Sequence, residues 1–133
     1  MTAPTSVPVS VVMPAYNEAD GIRVAVAAAQ QHVLDKLPGA ELVVVNDGSR
    51  DNTGSILDEI AAADPRVRVV HHPVNRKLGG SIKSGLAESR GDLVLYTDAD
   101  LPFDMDELQK ACRLMRHYEA DIVSAWRLDR TGE

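Results

Sequence analysis

Leu93-Val94-Leu95-Tyr96-Thr97-Asp98-Ala99-Asp100 is the stretch that decides how the rest of the chain is read. Leu93 to Thr97 is a short apolar run with Tyr and Thr, the pattern of a buried strand. Two carboxylates follow at i and i+2. Alternate side chains of an extended backbone point the same way, so Asp98 and Asp100 converge on one point. Two hard oxygen ligands at a strand end suit Mg²⁺ or Mn²⁺ shared with substrate phosphates. Spacing alone leaves a second reading open, a polar turn whose Asp residues cap the next helix.

Along the rest of the chain, strands alternate with helices. Val7 to Met13 is a β-branched run expected to stop at Pro14, and Asn17 is expected to cap a helix carrying Ile22, Val26, Ala29, Val33 and Leu37 inward. Pro38-Gly39 breaks that helix. Glu41 to Asn46 is nearly continuous in apolar character, as in a strand covered on both faces. Asp47-Gly48-Ser49 turns the chain, and Asp51 or Thr53 starts a helix with Ile56, Leu57, Ile60 and Ala61 inward. Val67 to His71 reads as a third strand. A loop from His72 to Lys77 leads to a helix packed through Leu78, Ile82 and Leu86. Beyond Asp100, a helix with Leu108, Ala111, Cys112, Met115 and Tyr118 and a strand from Asp121 to Trp126 are expected. This alternation requires βαβ crossovers, so the fold class is α/β: a three-layer, Rossmann-like domain with a mainly parallel sheet. Residues 1–7 are expected to be a disordered tail, 8–128 the domain, and 129–133 a severed connection to a missing half.

Composition excludes several classes. The 133 residues carry a net charge of −6, with one Trp, three Tyr and one Phe. Phosphate-backbone binders need a basic face and stacking aromatics, so nucleic acid is not an expected partner. A single cysteine, Cys112, rules out an internal disulfide and a Cys-based zinc cluster. No signal-peptide pattern opens the chain, and no apolar run approaches the roughly 18 residues of a membrane span. The expected location is the cytoplasm. No Gly-x-Gly-x-x-Gly follows the first strand, no Walker-type Gly-Lys-Ser/Thr occurs, and no nucleophile elbow is present. His71 and His72 could serve as metal ligands, although a plain strand-end turn accounts for them better.

Ligands of open parallel sheets bind beyond the carboxyl ends of the strands. The polar residues that stand out here follow strands: Asn17 and Glu18, Asp47, Asn75 to Lys77, Asp98 and Asp100, then Arg127. Turn and cap chemistry explains Asn17, Asp51 and Asp104. It explains the Asp98/Asp100 pair and Arg127 poorly, which favours a nucleotide-and-metal site.

Three motifs in order, Val12-Met13-Pro14-Ala15-Tyr16-Asn17-Glu18, Val44 to Thr53 (VVNDGSRDNT) and Tyr96-Thr97-Asp98-Ala99-Asp100-Leu101, carry a family resemblance. From Val9 to about Arg127 the chain resembles the N-terminal, nucleotide-sugar-binding part of a family 2 glycosyltransferase of the GT-A fold. Asp98-Ala99-Asp100-Leu101-Pro102 with Ser124-Ala125-Trp126-Arg127 is most similar to the dolichyl- and polyprenyl-phosphate sugar synthases.

The resemblance implies an inverting, metal-dependent transfer of a sugar from a UDP- or GDP-sugar to a polyprenyl or dolichyl phosphate. Pro14, Ala15, Tyr16 and Glu18 would line the base and ribose pocket, and Asp47 would accept from an N–H edge of the base. Uracil and guanine both offer such donors, so Asp47 alone does not choose between them. Asp98, Ala99 and Asp100 would meet the donor, with Asp98 and Asp100 holding Mg²⁺ or Mn²⁺. Arg127 would grip a phosphate, and Lys77 and Lys83 are basic candidates beside the donor. A longer form is expected to associate with the inner membrane surface, and a homo-oligomer is compatible with the sequence. A non-catalytic nucleotide-binding or interaction module with the same fold is the competing function. A sugar-phosphate nucleotidyltransferase is disfavoured, because its Gly-rich N-terminal loop is missing.

Overall fold

The computed structural model describes residues 7–98 together with Lys110 and His117. Met1–Pro102 and Phe103–Glu133 form two compact units. Within the first, the order is β1 (Val7–Ala15), α1 (Ile22–Ala29), β2 (Glu41–Asn46), α2 (Thr53–Ala63), β3 (Val67–His71), α3 (Lys77–Glu88) and β4 (Gly91–Tyr96). Lys110 and His117 are helical. The strand expected from Asp121 to Trp126 lies outside the described residues.

The four strands are parallel in the order β3-β2-β1-β4. Every residue of β2 is buried, as its unbroken apolar run requires. Two successive right-handed crossovers lead outward from β1 to β3 and place α1 and α2 side by side on one face. The return from β3 to β4 puts α3 on the other. The core consists of the interior of β1 and β2 with Ile22, Val26, Val33 and Leu57 from the helices.

Three expectations need correction. First, β1 does not stop before Pro14: it runs to Ala15, with Pro14 paired to Val45. The carbonyl of Val12 accepts from Thr97 N–H on the β4 side, and alternate residues of a parallel strand address the same neighbour. The donor that Pro14 lacks therefore points past the last β1–β4 pair, Val12 with Tyr96, where no bond is lost. Second, α1 does not continue as a regular helix to Leu37. It passes into a π-helical turn over Gln30–Leu34, and the extra residue brings Val33 and Leu34 together into the core.

Third, α3 does not pack through Leu78 and Leu86, which are 56% and 50% exposed, while Ile82 is half-buried. Its buried residues are Ser81 and Gly85, one turn apart. A Cβ on Gly85 would stand 2.2 Å from Cγ1 of Val12. The missing side chain is what lets the helix close on β1, so the small-residue face turns inward and the leucines turn out.

At the amino ends of the strands a buried carboxylate ties the layers together. Glu41 Oε2 accepts from Ser10 Oγ at 2.6 Å and Arg90 N–H at 2.7 Å, and Oε1 accepts from Arg68 at 2.9 Å. Burial pushes the Glu41 pKa up, but these donors outweigh it and hold the carboxyl below its ordinary value.

Gly85→Ala is expected to destabilise the fold by about 1–3 kcal/mol, because backbone or Val12 must shift. Gly79→Ala, where nothing lies within 4 Å, is expected to be neutral or stabilising by up to about 1 kcal/mol. Urea unfolding of the two variants checks the contrast, and equal effects would remove the close-approach argument.

Candidate functional site

A cavity of about 980 Å³ opens beyond the carboxyl ends of β1, β2 and β4. Pro14 and Ala15 close one wall as β1 ends, followed by Tyr16 and Glu18 from the loop into α1. Asp47 enters just after β2. Lys77 and Ser81 come from the start of α3, and Asp98 from the end of β4. Seven residues picked out by sequence (Pro14, Ala15, Tyr16, Glu18, Asp47, Lys77 and Asp98) thus surround one space. Ala99, Asp100 and Arg127 lie outside the described residues. Lys83 is exposed and is not among the cavity residues.

The loop bearing Tyr16 and Glu18 is held by the motif that follows β2. Asn17 does not cap α1, as its sequence position suggested; Gly21 occupies that place. Instead Asn17 takes a left-handed conformation, φ 52°. Its N–H donates to Ser49 Oγ at 3.0 Å, and its Oδ1 accepts from Arg50 N–H at 2.8 Å. Glu18 N–H donates to Thr53 Oγ1 at 2.8 Å, and Ala19 N–H to Asp51 Oδ2 at 3.2 Å. Thr53 is fully buried and its hydroxyl in turn donates to Asp51. Asp51 and Thr53 therefore start α2 and also clamp the neighbouring loop.

Asp47 is the buried charge of the site. Its Oδ1 accepts from Arg76 N–H and from His72 Nδ1, both at 2.8 Å. A carboxylate only accepts, so Nδ1 of His72 carries the proton, and in the neutral ring Nε2 accepts from Ser84 Oγ at 2.7 Å. Burial raises the Asp47 pKa, but His72 and the Arg76 N–H, with a smaller contribution from the nearby Ser81 hydroxyl, outweigh it and hold the carboxyl below its ordinary value of 3.8. Gly48, at φ +74°, lets the turn pass directly beneath Asn75, whose backbone nitrogen would be 2.5 Å from a Cβ there.

His72 is buried and faces Asp47 and Ser84, and His71 bonds Asn46 and Asp58. Both histidines are occupied in structural pairs, which agrees with the strand-end reading. Among the described residues no three His, Cys, Asp or Glu side chains form a metal cluster. Asp98 is exposed at the rim, and a hard carboxylate there suits Mg²⁺ or Mn²⁺ once joined by a second oxygen ligand.

The sequence reading missed Ser81, which lines the cavity and whose buried hydroxyl meets no partner at bonding distance. It also missed His72 as the support of Asp47, which no spacing rule signals.

The match to known proteins follows this geometry. The family model for glycosyl transferase family 2 matches residues 10–133. The chain belongs to the family 2 glycosyltransferases. It is 37% identical over 131 residues to the glycosyltransferase AglD of Haloferax volcanii, covering 96% of this chain and 21% of that protein. It is 34% identical over 113 residues to the dolichyl-phosphate beta-glucosyltransferase ALG5C of Trichomonas vaginalis, covering 81% of this chain and 34% of that one. Among solved structures, the mannosyltransferase PcManGT of Pyrobaculum calidifontis, in complex with GDP-Man and Mn²⁺, superposes with a TM-score of 0.69 at 28% identity. That likeness covers 80% of this chain and 32% of that one. The chain thus spans between about a fifth and a third of the length of these relatives.

Asp47→Ala strands Arg76 N–H and is expected to cost about 2–4 kcal/mol at pH 7. Because the folded pKa lies below the unfolded value, the ionised carboxylate contributes stability above pH 3.8, and that contribution is lost as pH falls through the folded pKa. Urea unfolding from pH 7 downward should show the gap between wild type and variant narrowing in acid; a gap independent of pH would contradict this.

Proposed function

We propose that the chain forms the donor-binding part of an inverting, metal-dependent glycosyltransferase that passes a sugar from a nucleoside-diphosphate sugar to a polyprenyl or dolichyl phosphate. The observation that carries this reading is the convergence of residues from four separate segments on one cavity at the carboxyl rim of a parallel sheet. The donor's base lies toward Ala15, Tyr16, Glu18 and Asp47. Its diphosphate lies toward Asp98, with Lys77 as a neighbouring cation.

Asp98 and Asp100 would hold Mg²⁺ or Mn²⁺. A divalent ion bound there would supply charge neutralisation for the departing nucleoside diphosphate. The acceptor attacks the anomeric carbon from the side opposite the leaving group. One acceptor oxygen–carbon bond forms, the bond to the diphosphate oxygen breaks, and the electron pair leaves with the nucleotide. A phosphate acceptor, with a second pKa of about 6, is already ionised at neutral pH and needs no strong general base. Arg127 fits a role at the acceptor phosphate, where a guanidinium grips two oxygens. The dolichyl-phosphate glucosyltransferase similarity supports this acceptor class, and the superposition on a GDP-Man and Mn²⁺ complex supports a divalent ion.

Calorimetric titration with UDP- and GDP-sugars tests the donor half. Binding is expected to need Mn²⁺ or Mg²⁺ and to fall at least tenfold in Asp98→Ala and Asp100→Ala. Tight binding that survives EDTA would sink the metal role of the two aspartates. Transfer of radiolabelled sugar to polyprenyl phosphate tests the acceptor half, and transfer to a sugar hydroxyl in its place would overturn it.

A further inference from the structure

Within the donor site just proposed, and resting on that reading, the geometry points to a pocket that selects uracil over guanine, with His72 as the positioning residue that sets the choice. Asp47 has two carboxylate oxygens, and only one remains for a ligand. Oδ1 already accepts from His72 Nδ1 and from Arg76 N–H, each at 2.8 Å, which fills its two lone-pair directions. Oδ2 accepts nothing at bonding distance among the described residues, and the side chain keeps 7% of its surface exposed while lining the cavity.

The usual match between a carboxylate and guanine is bidentate, with N1–H on one oxygen and the N2 amino group on the other. Here that match is blocked. Guanine would give N1–H to Oδ2 and leave the amino group to a neutral hydroxyl, a weaker acceptor. Uracil presents a single N–H, N3–H, between two carbonyls. One free carboxylate oxygen satisfies it completely, and the flanking carbonyls need donors.

Donors stand in the same wall. Ser81 Oγ, 1% exposed as a residue, lines the cavity beside Asp47 with no partner at full bonding distance. Its hydroxyl lies near enough to the Asp47 carboxylate to help lower that pKa, and it turns to a base carbonyl when N3–H takes its place. Asn75 also lines the cavity, and its Oδ1 accepts from Lys77 N–H at 2.9 Å. A backbone N–H only donates, so the accepting atom is the amide oxygen and the Asn75 NH₂ group remains available. One acceptor with two donor groups complements the edge of uracil. His72 is fixed in this role by Ser84, whose hydroxyl at 2.7 Å holds Nε2. Without that grip the imidazole would be free to leave Oδ1 and reopen a bidentate face.

Isothermal titration of the full chain with UDP, GDP and N3-methyl-UDP, each with Mn²⁺, tests the assignment. UDP is expected to bind about tenfold or more tighter than GDP, and N3-methylation to abolish the preference. Ser81→Ala, a small change in a helix, should weaken UDP by about three- to tenfold and GDP by less. His72→Leu should bring UDP and GDP within about threefold of each other; should that variant fail to fold, Ser84→Ala should narrow the ratio in the same direction. GDP binding as tightly as UDP would overturn the uracil assignment and leave the glycosyltransferase reading standing. Failure of both nucleotides to bind, with Mn²⁺ present, would overturn the two together.

Discussion

The buried carboxylate of Asp47 is the joint on which the carboxyl rim of the sheet depends. Its backbone N–H donates to Ala15, the last residue of β1, at 2.9 Å. Its side chain holds His72, just past β3, and the amide of Arg76, just before α3. One residue thus fixes the ends of three strands and the entry of a helix relative to each other. A charge this deep is tolerated because donors surround it; without them its desolvation would unfold the rim. The same donors that make burial possible also decide which oxygen is left without a bonding partner.

The sheet order places that joint where a ligand can use it. The path runs outward from β1 to β2 to β3, then returns to place β4 on the other side of β1. The strand order reverses between β1 and β4, the point at which an open parallel sheet forms its crevice. Ala15 and Asp98 stand on its two sides. Strain gathers at the same rim. Asn17 at φ 52° and Lys77 at φ 66° are the non-glycine residues with positive φ among the described ones. Each left-handed residue costs about 1 kcal/mol or more, and each is held by local bonds: Asn17 by Ser49 and Arg50, Lys77 by Asn75. Residues kept in costly conformations beside a cavity are those whose direction matters there.

The α/β alternation and the strands were legible because unbroken apolar runs such as Glu41 to Asn46 occur only where both faces are covered. The rim residues were legible because polar groups directly after such runs have few other reasons to be there. What sequence could not give is packing partner and orientation. Leu78, Ile82 and Leu86 have the spacing of a buried stripe, yet the face that packs is the one whose lack of side chains permits contact with Val12. A hydrophobic pattern reports where apolar residues could go, and close approach is decided by volume. His72 likewise gives no signal, because its importance lies in a contact 25 residues away. Asn17 misled for the opposite reason. Its chemistry fits a helix cap, and the loop used that same capacity to bind Arg50 instead.

The two ends of β2 show how structural and functional carboxylates separate. Glu41 opens the strand and Asp47 follows its last residue, and both are 5% exposed, so both bear a similar desolvation cost. Glu41 is satisfied on both oxygens, by Ser10 and Arg90 on one and Arg68 on the other. Nothing is left over, and its work is finished when the chain folds. Asp47 has donors crowded onto one oxygen, while the other is left spare beside a Ser81 hydroxyl with no partner at full bonding distance. Unmet bonding capacity in a buried pair is unfavourable in the free protein. A ligand that gave a donor to the carboxylate and an acceptor to the hydroxyl would recover it, so the imbalance at Asp47, set against the closure at Glu41, is what supports placing the proposed donor site at this end of the sheet.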